Sequence, residues 1–246
     1  MTAPPTRADY RYSRLASGDN YENQVLYAMC FDRPEHGDPF VTAGKMLMIG
    51  RVYSASPERK AGKAAVAGEN LFTILAERLA ATHIDERLAA IPFETRLSED
   101  LVPKVLALHG LLNTEVREGT HRWSVTQGAP QRVSFASKYL HFHRPNAFPL
   151  FDRYACLGLA SLTKGFRYEN RCSDVTINKD YQRFVGRLLH FVAQRSPEAG
   201  WTPRSLDTML VNAGREVEKP RAAAAKARKL ARDGEKSTLD PAGRRD

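Results

Sequence analysis

The sequence predicts a mainly α domain with a basic C-terminal tail, on three observations. Apolar residues recur at three- and four-residue intervals along most of the chain, the period of a helix buried on one side. Cap-forming residues stand in front of several of these runs. Strand-like alternation is confined to Trp123-Ser-Val-Thr and Asp174-Val-Thr-Ile, and a loop suits either equally well. No period of about 20–50 residues repeats, which excludes a solenoid.

Taken in order, residues 1–19 are rich in Pro, Ser, Thr, Arg and Tyr without periodicity and are expected to form a flexible arm. From residue 20 a helical pattern begins, with Val25, Leu26 and Met29 as a short apolar stripe that Pro34 ends. Gly37-Asp38-Pro39 is a turn. Residues 45–53 form an apolar segment whose length suits helix or strand, and its neighbours favour helix. Leu71, Leu75 and Leu79, with Phe72, mark the next helix. Ser98 is placed to cap another, in which Leu101, Val105, Leu108 and Leu112 share a face. Asn178 caps a helix carrying Tyr181, Phe184, Leu188 and Phe191. Pro203 opens a shorter one with Leu206 and Leu210. Together these define a helical domain over residues 20–214.

The composition shifts at 215–246. Residues 219–232 hold six Lys/Arg and no acid, threaded through alanines: a strong helix former with no apolar face. Beyond Asp233 the chain is polar and expected to be disordered. This tail reads either as solvated chain or as a phosphate-binding arm whose contacts include Lys226, Arg228 and Lys229.

The whole chain has 246 residues, with 37 basic and 28 acidic side chains, for a net charge of +9. Such an excess speaks of partners rather than fold, and it suits nucleic acid. No apolar run reaches the roughly 20 residues needed to cross a bilayer. No hydrophobic leader is visible in the first twenty residues. Cys30, Cys156 and Cys172 are widely spaced, which argues against a disulfide framework or a zinc site. The expectation is a cytoplasmic monomer without metal or cofactor. Walker, GxSxG and GxGxxG motifs are absent.

The informative stretch is residues 128–160. Phe135, Tyr139 and Phe142 share the apolar face of a helix that Pro145 stops, and Ser134, Lys138 and His141 form a polar stripe beside it. A lysine at the edge of a core is either desolvated into a useful amine or snorkels to solvent. His141 and His143 are two apart on a helix and point away from each other, which disfavours a shared metal. The extended Phe148-Pro-Leu-Phe-Asp152 then delivers a carboxylate to the start of a helix. Asp152 reads as an N-cap, or as a fixed negative charge able to stabilise a cationic transition state. Arg51, Tyr53, Glu58 and Arg59 suit a pocket lip or a surface ion-pair cluster.

A helix, a proline turn, the apolar FPLFD and a helix starting at the aspartate resemble the core of the helix-hairpin-helix DNA glycosylase superfamily. The likeness is greatest to divergent bacterial members with an 8-oxoguanine-glycosylase-like fold, of the kind found in antiphage defence loci. Residues 45–59 and Arg204-Ser-Leu-Asp-Thr-Met-Leu210 extend it.

The resemblance implies base flipping from double-stranded DNA and cleavage of the N-glycosidic bond, leaving an abasic site. A modified pyrimidine of phage DNA is the favoured substrate over oxidised guanine. Asp152 is implied as the catalytic carboxylate, with Lys138 beside it. Tyr53, His141, Phe142 and Tyr154 would form the base pocket, and Lys45, Arg51, Arg59, Arg132 and Ser137 would contact DNA. The chain departs from the superfamily's Leu-Pro-Gly-Val-Gly hairpin, having only Gly128-Ala-Pro there, and Lys138 lies closer to Asp152 than a lyase nucleophile would. That departure implies a monofunctional enzyme. The alternative is a helical DNA-binding module without catalysis. The two differ in whether Asp152 faces a pocket or only caps a helix.

Overall fold

The computed structural model describes residues 6–11, 21–58, 70–121, 131–167, 176–195 and 201–238; the side chains of residues 11, 221, 222 and 225–238 lie outside the description. The fold is mainly helical, and no strand occurs among the described residues. The helices are α1 (Arg7–Arg11), α2 (Tyr21–Asp32), α3 (Pro39–Val52), α4 (Leu71–Ala80) and α5 (Ile84–Ala89). A 3₁₀ turn (Glu99–Leu101) then runs directly into α6 (Val102–His121). After these come α7 (Val133–His143), α8 (Arg153–Leu162), α9 (Lys179–Ala193) and α10 (Pro203–Thr238).

Local chemistry accounts for most boundaries. Asp38 caps α3 by accepting from the N–H groups of Phe40 and Val41, with Pro39 at the first helical position. Asn70 caps α4, and Asn178 caps α9. Ser98 stands at the N-cap position of the 3₁₀ turn, though its hydroxyl makes no capping bond. Leu101, Val105, Leu108 and Leu112 are all buried, as their spacing predicts. On α2 the buried apolar residues are Leu26, Tyr27, Cys30 and Phe31, while Val25 and Met29 are only partly covered. The aromatic rings, with more area to bury than Val or Met, take the core side of that helix.

Two expectations change at the termini. The stretch expected as a flexible arm contains α1, whose Tyr10 is buried against Tyr27, Phe31 and Phe93 and donates to Asn146 Oδ1 at 2.7 Å. One aromatic with a hydrogen-bond partner anchors a segment that lacks periodicity. At the other end, α10 passes residue 214 without a break and continues to Thr238, beyond the expected onset of disorder at 233. The alanine-rich composition favours helix here.

α7 lies at the centre, touching α2, α3 and α6, and α8 packs along α10. That last contact is unusually close. A Cβ at Gly158 would lie 2.0 Å from the Leu210 carbonyl oxygen, and one at Gly214 would lie 2.0 Å from that of Tyr154. Two glycines, one per helix, let the backbones meet and fix where α8 begins. No helix among the described residues is long and apolar enough to cross a membrane.

Candidate functional site

The site is built on α7 and the extended segment after it. That segment is buried, so its backbone polar groups need partners inside the protein. The polar stripe of α7 supplies them. His141 Nδ1–H donates to the Phe148 carbonyl at 2.8 Å, and the Ser137 hydroxyl accepts from Phe151 N–H at 3.0 Å. Lys138 Nζ donates to the Phe151 carbonyl at 3.2 Å and to Ser134 Oγ at 2.7 Å. From another direction, Tyr181 donates to the Pro149 carbonyl at 3.2 Å. A stripe that reads as reactive in sequence therefore holds an extended backbone in place.

The segment ends by delivering Asp152 in an extended conformation to α8, where its Oδ1 accepts from Ala155 N–H at 2.8 Å. Half of its capping role is thus visible, while the side chain stays partly open to solvent. Beneath it Lys138 is 2 % exposed. Burial lowers the Lys138 pKa, and the charges of Asp152 and Asp207 act against that shift. The Tyr53 ring centroid lies 5.6 Å from Lys138 Nζ, and the Tyr53 hydroxyl donates to Asn23 Oδ1 at 2.7 Å. The arrangement joins a desolvated ammonium, a partly open carboxylate at a helix N-terminus and an aromatic ring.

Several expected site residues are elsewhere. Lys45 is fully buried and donates to the Glu35 carbonyl at 3.1 Å, so it offers no charge to DNA. Its position on the inward side of α3 forces this. Ser137 is buried and committed to Ser134 O and Phe151 N–H. Arg132 is buried at the head of α7, where its backbone N–H donates to Asn113 Oδ1 at 2.7 Å.

His141 is fully buried; with Nδ1 protonated toward Phe148, its Nε2 accepts from the Tyr27 hydroxyl at 2.8 Å. Burial pushes its pKa down to about 3. Phe142 is fully buried against Tyr27 and Tyr53. Neither can line an open base pocket. The sequence shows one apolar face on α7, but helices surround it, and all of its residues except Ser134 are buried.

Tyr154 is partly exposed, with the Arg215 guanidinium 5.9 Å from its ring. Arg51 is on the surface, paired with Glu58 at 3.1 Å. Arg59, Gly128-Ala-Pro and the Trp123 stretch lie outside the described residues, as do the side chains of Lys226, Arg228 and Lys229.

Sequence reading misses two features. The first is the pair Arg204–Asp207, 3.2 Å apart and nearly buried, whose Asp207 charge reaches Lys138. Its only signal is an i, i+3 charge pair on a predicted helix. The second is a polar centre behind α7. His36 Nδ1 meets Asp85 Oδ1 at 2.5 Å, and the His36 and His143 rings lie 5.0 Å apart. His143 Nδ1–H donates to the Tyr139 carbonyl at 2.9 Å, so the two α7 histidines turn to different carbonyls. Burial lowers the pKa of His36, against the hydrogen bond that its ring N–H donates to Asp85, and lowers that of His143 further. No group of three or more His, Cys, Asp or Glu among the described residues is arranged to hold a metal ion.

The chain matches no protein-family model, no curated protein and no solved structure.

Proposed function

We propose that the protein is a monofunctional DNA glycosylase acting on double-stranded DNA, with Asp152 as its catalytic carboxylate. The observation that carries the reading is the setting of Asp152: at the N-terminus of α8, partly open, one oxygen bound to Ala155 N–H, with the Lys138 ammonium buried beneath it. Cleavage of an N-glycosidic bond passes through an oxocarbenium-like state, and a fixed carboxylate is suited to stabilise it. The α8 N-terminus and the Lys138 ammonium place positive potential beside that carboxylate. Tyr53 and Tyr154, both partly exposed, are the rings left to stack on a displaced base. The net charge of +9 favours a polyanionic partner. A modified pyrimidine in phage DNA remains the favoured substrate class.

A second reading, a DNA-binding module without catalysis, is favoured by the commitment of His141, Phe142 and Ser137 to packing and backbone bonds. Asp152→Asn separates the two. Asn caps about as well as Asp, so melting temperature should hold while abasic-site formation on base-modified phage DNA falls on the order of 10²–10³-fold. No abasic sites with the wild type favours the module, whereas full activity in Asp152→Asn removes Asp152 from the chemistry and overturns its assignment as the catalytic carboxylate. Asp152→Ala should cost about 1 kcal/mol of stability under either reading.

A further inference from the structure

Five large apolar side chains are exposed among the described residues, and three of them, Phe40, Leu47 and Met48, stand on α3. At about 100° per residue, Phe40, Gly44, Leu47, Met48 and Arg51 fall in one stripe, opposite the buried Lys45, Met46 and Ile49. Phe40 is 78 % exposed. A single exposed apolar residue is ordinary, but a continuous stripe marks an interaction surface. In the middle of it, a Cβ added at Gly44 would meet nothing within 4 Å. Glycine costs a helix interior up to about 1 kcal/mol relative to alanine, and no neighbour within the fold requires it here. What it allows is the close approach of another helix.

The order of residues along α3 selects the occupant. Gly44 lies four residues after Phe40 and four before Met48. Two copies of α3 crossing antiparallel about a two-fold axis at Gly44 therefore set Phe40 of each against Met48 of the other, and Leu47 against Val41. Charge follows the same symmetry. Asp38 stands six residues before Gly44 and Arg51 seven after it, so Arg51 of each copy reaches the N-terminus of the other, beside Asp38. Both capping bonds of Asp38 fall on Oδ1, to the N–H groups of Phe40 at 2.9 Å and Val41 at 3.2 Å, which leaves Oδ2 for a partner. Arg51 stays well exposed although it pairs with Glu58. A parallel crossing would instead bring Arg51 against Arg51. Duplex DNA is a poor occupant, because the one cation of the stripe is already paired and a carboxylate stands at its end.

We propose that the exposed stripe of α3 is the interface of a two-fold homodimer, in place of the monomer expected from the sequence. The same patch serves both copies, as a closed two-fold pair requires. At about 1.5 Å per residue α3 is about 21 Å long, which limits the contact to the small, weak class of interfaces. The dimer does not depend on the glycosylase reading.

Sedimentation velocity of the full chain over a concentration series reads the assembly directly. The wild type should pass from monomer to dimer with a Kd on the order of 10–100 µM. Gly44→Gln fills the crossing point where the fold itself leaves room, so the melting temperature of the monomer should hold or rise while dimerisation weakens about tenfold or more. Arg51→Gln should weaken it about two- to fivefold, and added salt should weaken the wild-type dimer similarly. Phe40→Cys mixed with Met48→Cys should cross-link under a mild oxidant more than either variant alone, which fixes the antiparallel register. A single monomeric species up to about 1 mM overturns the proposal, as does a dimer that Gly44→Gln leaves intact. So does preferential cross-linking of Phe40→Cys with itself. A Gly44→Gln monomer that melts lower than the wild type would mean that the same chain already covers the stripe, and overturns it too.

Discussion

The Lys138 ammonium donates to the carbonyl oxygen of Phe151, the residue immediately before Asp152, at 3.2 Å. This bond ties the position of the carboxylate to α7 and commits the amine. Borohydride should therefore trap no covalent protein–DNA adduct, and strand breaks should appear only after alkali. Lys138→Ala loses this bond, the one to Ser134 and the buried stem, and should cost about 2–4 kcal/mol in urea denaturation. A strong adduct in the wild type that Lys138→Ala abolishes would make Lys138 the nucleophile.

The α8–α10 crossing predicts an inverted propensity effect. In an exposed helix interior, Gly→Ala stabilises by up to about 1 kcal/mol. At Gly158 the added Cβ would meet the Leu210 carbonyl at 2.0 Å, so the helices must part. Gly158→Ala should lower stability by about 1–3 kcal/mol. Because α8 carries Asp152 at its start, activity per folded molecule should fall as well. A rise in melting temperature would show that the crossing yields freely.

Acid should unfold the protein early. His109 and His141 are fully buried, with pKa values held down to about 4 and about 3 by burial. A histidine whose folded pKa lies below its unfolded value near 6.5 binds fewer protons folded than unfolded between the two. Its full contribution is present above 6.5 and is lost as pH falls toward the folded pKa. The loss is on the order of 3–5 kcal/mol per residue, comparable with a domain's whole stability. His109 stacks on Tyr181 at 3.7 Å and donates Nε2–H to the Val133 carbonyl. His109→Gln should flatten the slope of stability against pH between 6.5 and 4, measured by denaturation at each pH. An unchanged slope would mean that His109 titrates normally.

The basic continuation of α10 should contact phosphates without reading sequence. Each lost phosphate contact lowers the log–log salt slope on duplex DNA by about 0.9. Replacing Lys226, Arg228 and Lys229 together by Gln should flatten it by about 2–3 units on every sequence tested. Excision at saturating DNA should persist. These substitutions spare Glu218, which pairs with Arg153 of α8 at 2.6 Å. A slope equal to the wild type's removes the tail from the interface.

Periodicity and capping are local, and they suffice for the helices that carry Leu71, Leu101, Tyr181 and Leu206 and for Asp152, Asn178 and the Pro203 start. Each depends on a few neighbouring residues and the 3.6-residue turn. The fate of the polar stripe on α7 is of another kind. Ser134, Lys138 and His141 read in the sequence as a polar stripe, but the turn at Pro145 and the packing of α8 on α10 place residues 148–151 against Lys138, His141 and the neighbouring Ser137, which satisfy that segment's backbone. Lys45 likewise looks available until His36, Asp85 and His143 close around α3 from other parts of the chain. Spacing along a helix states which side chains share a face; which face is buried, and which backbone groups it must satisfy, depends on residues far away in the chain, because desolvation and hydrogen-bond pairing are settled where elements meet.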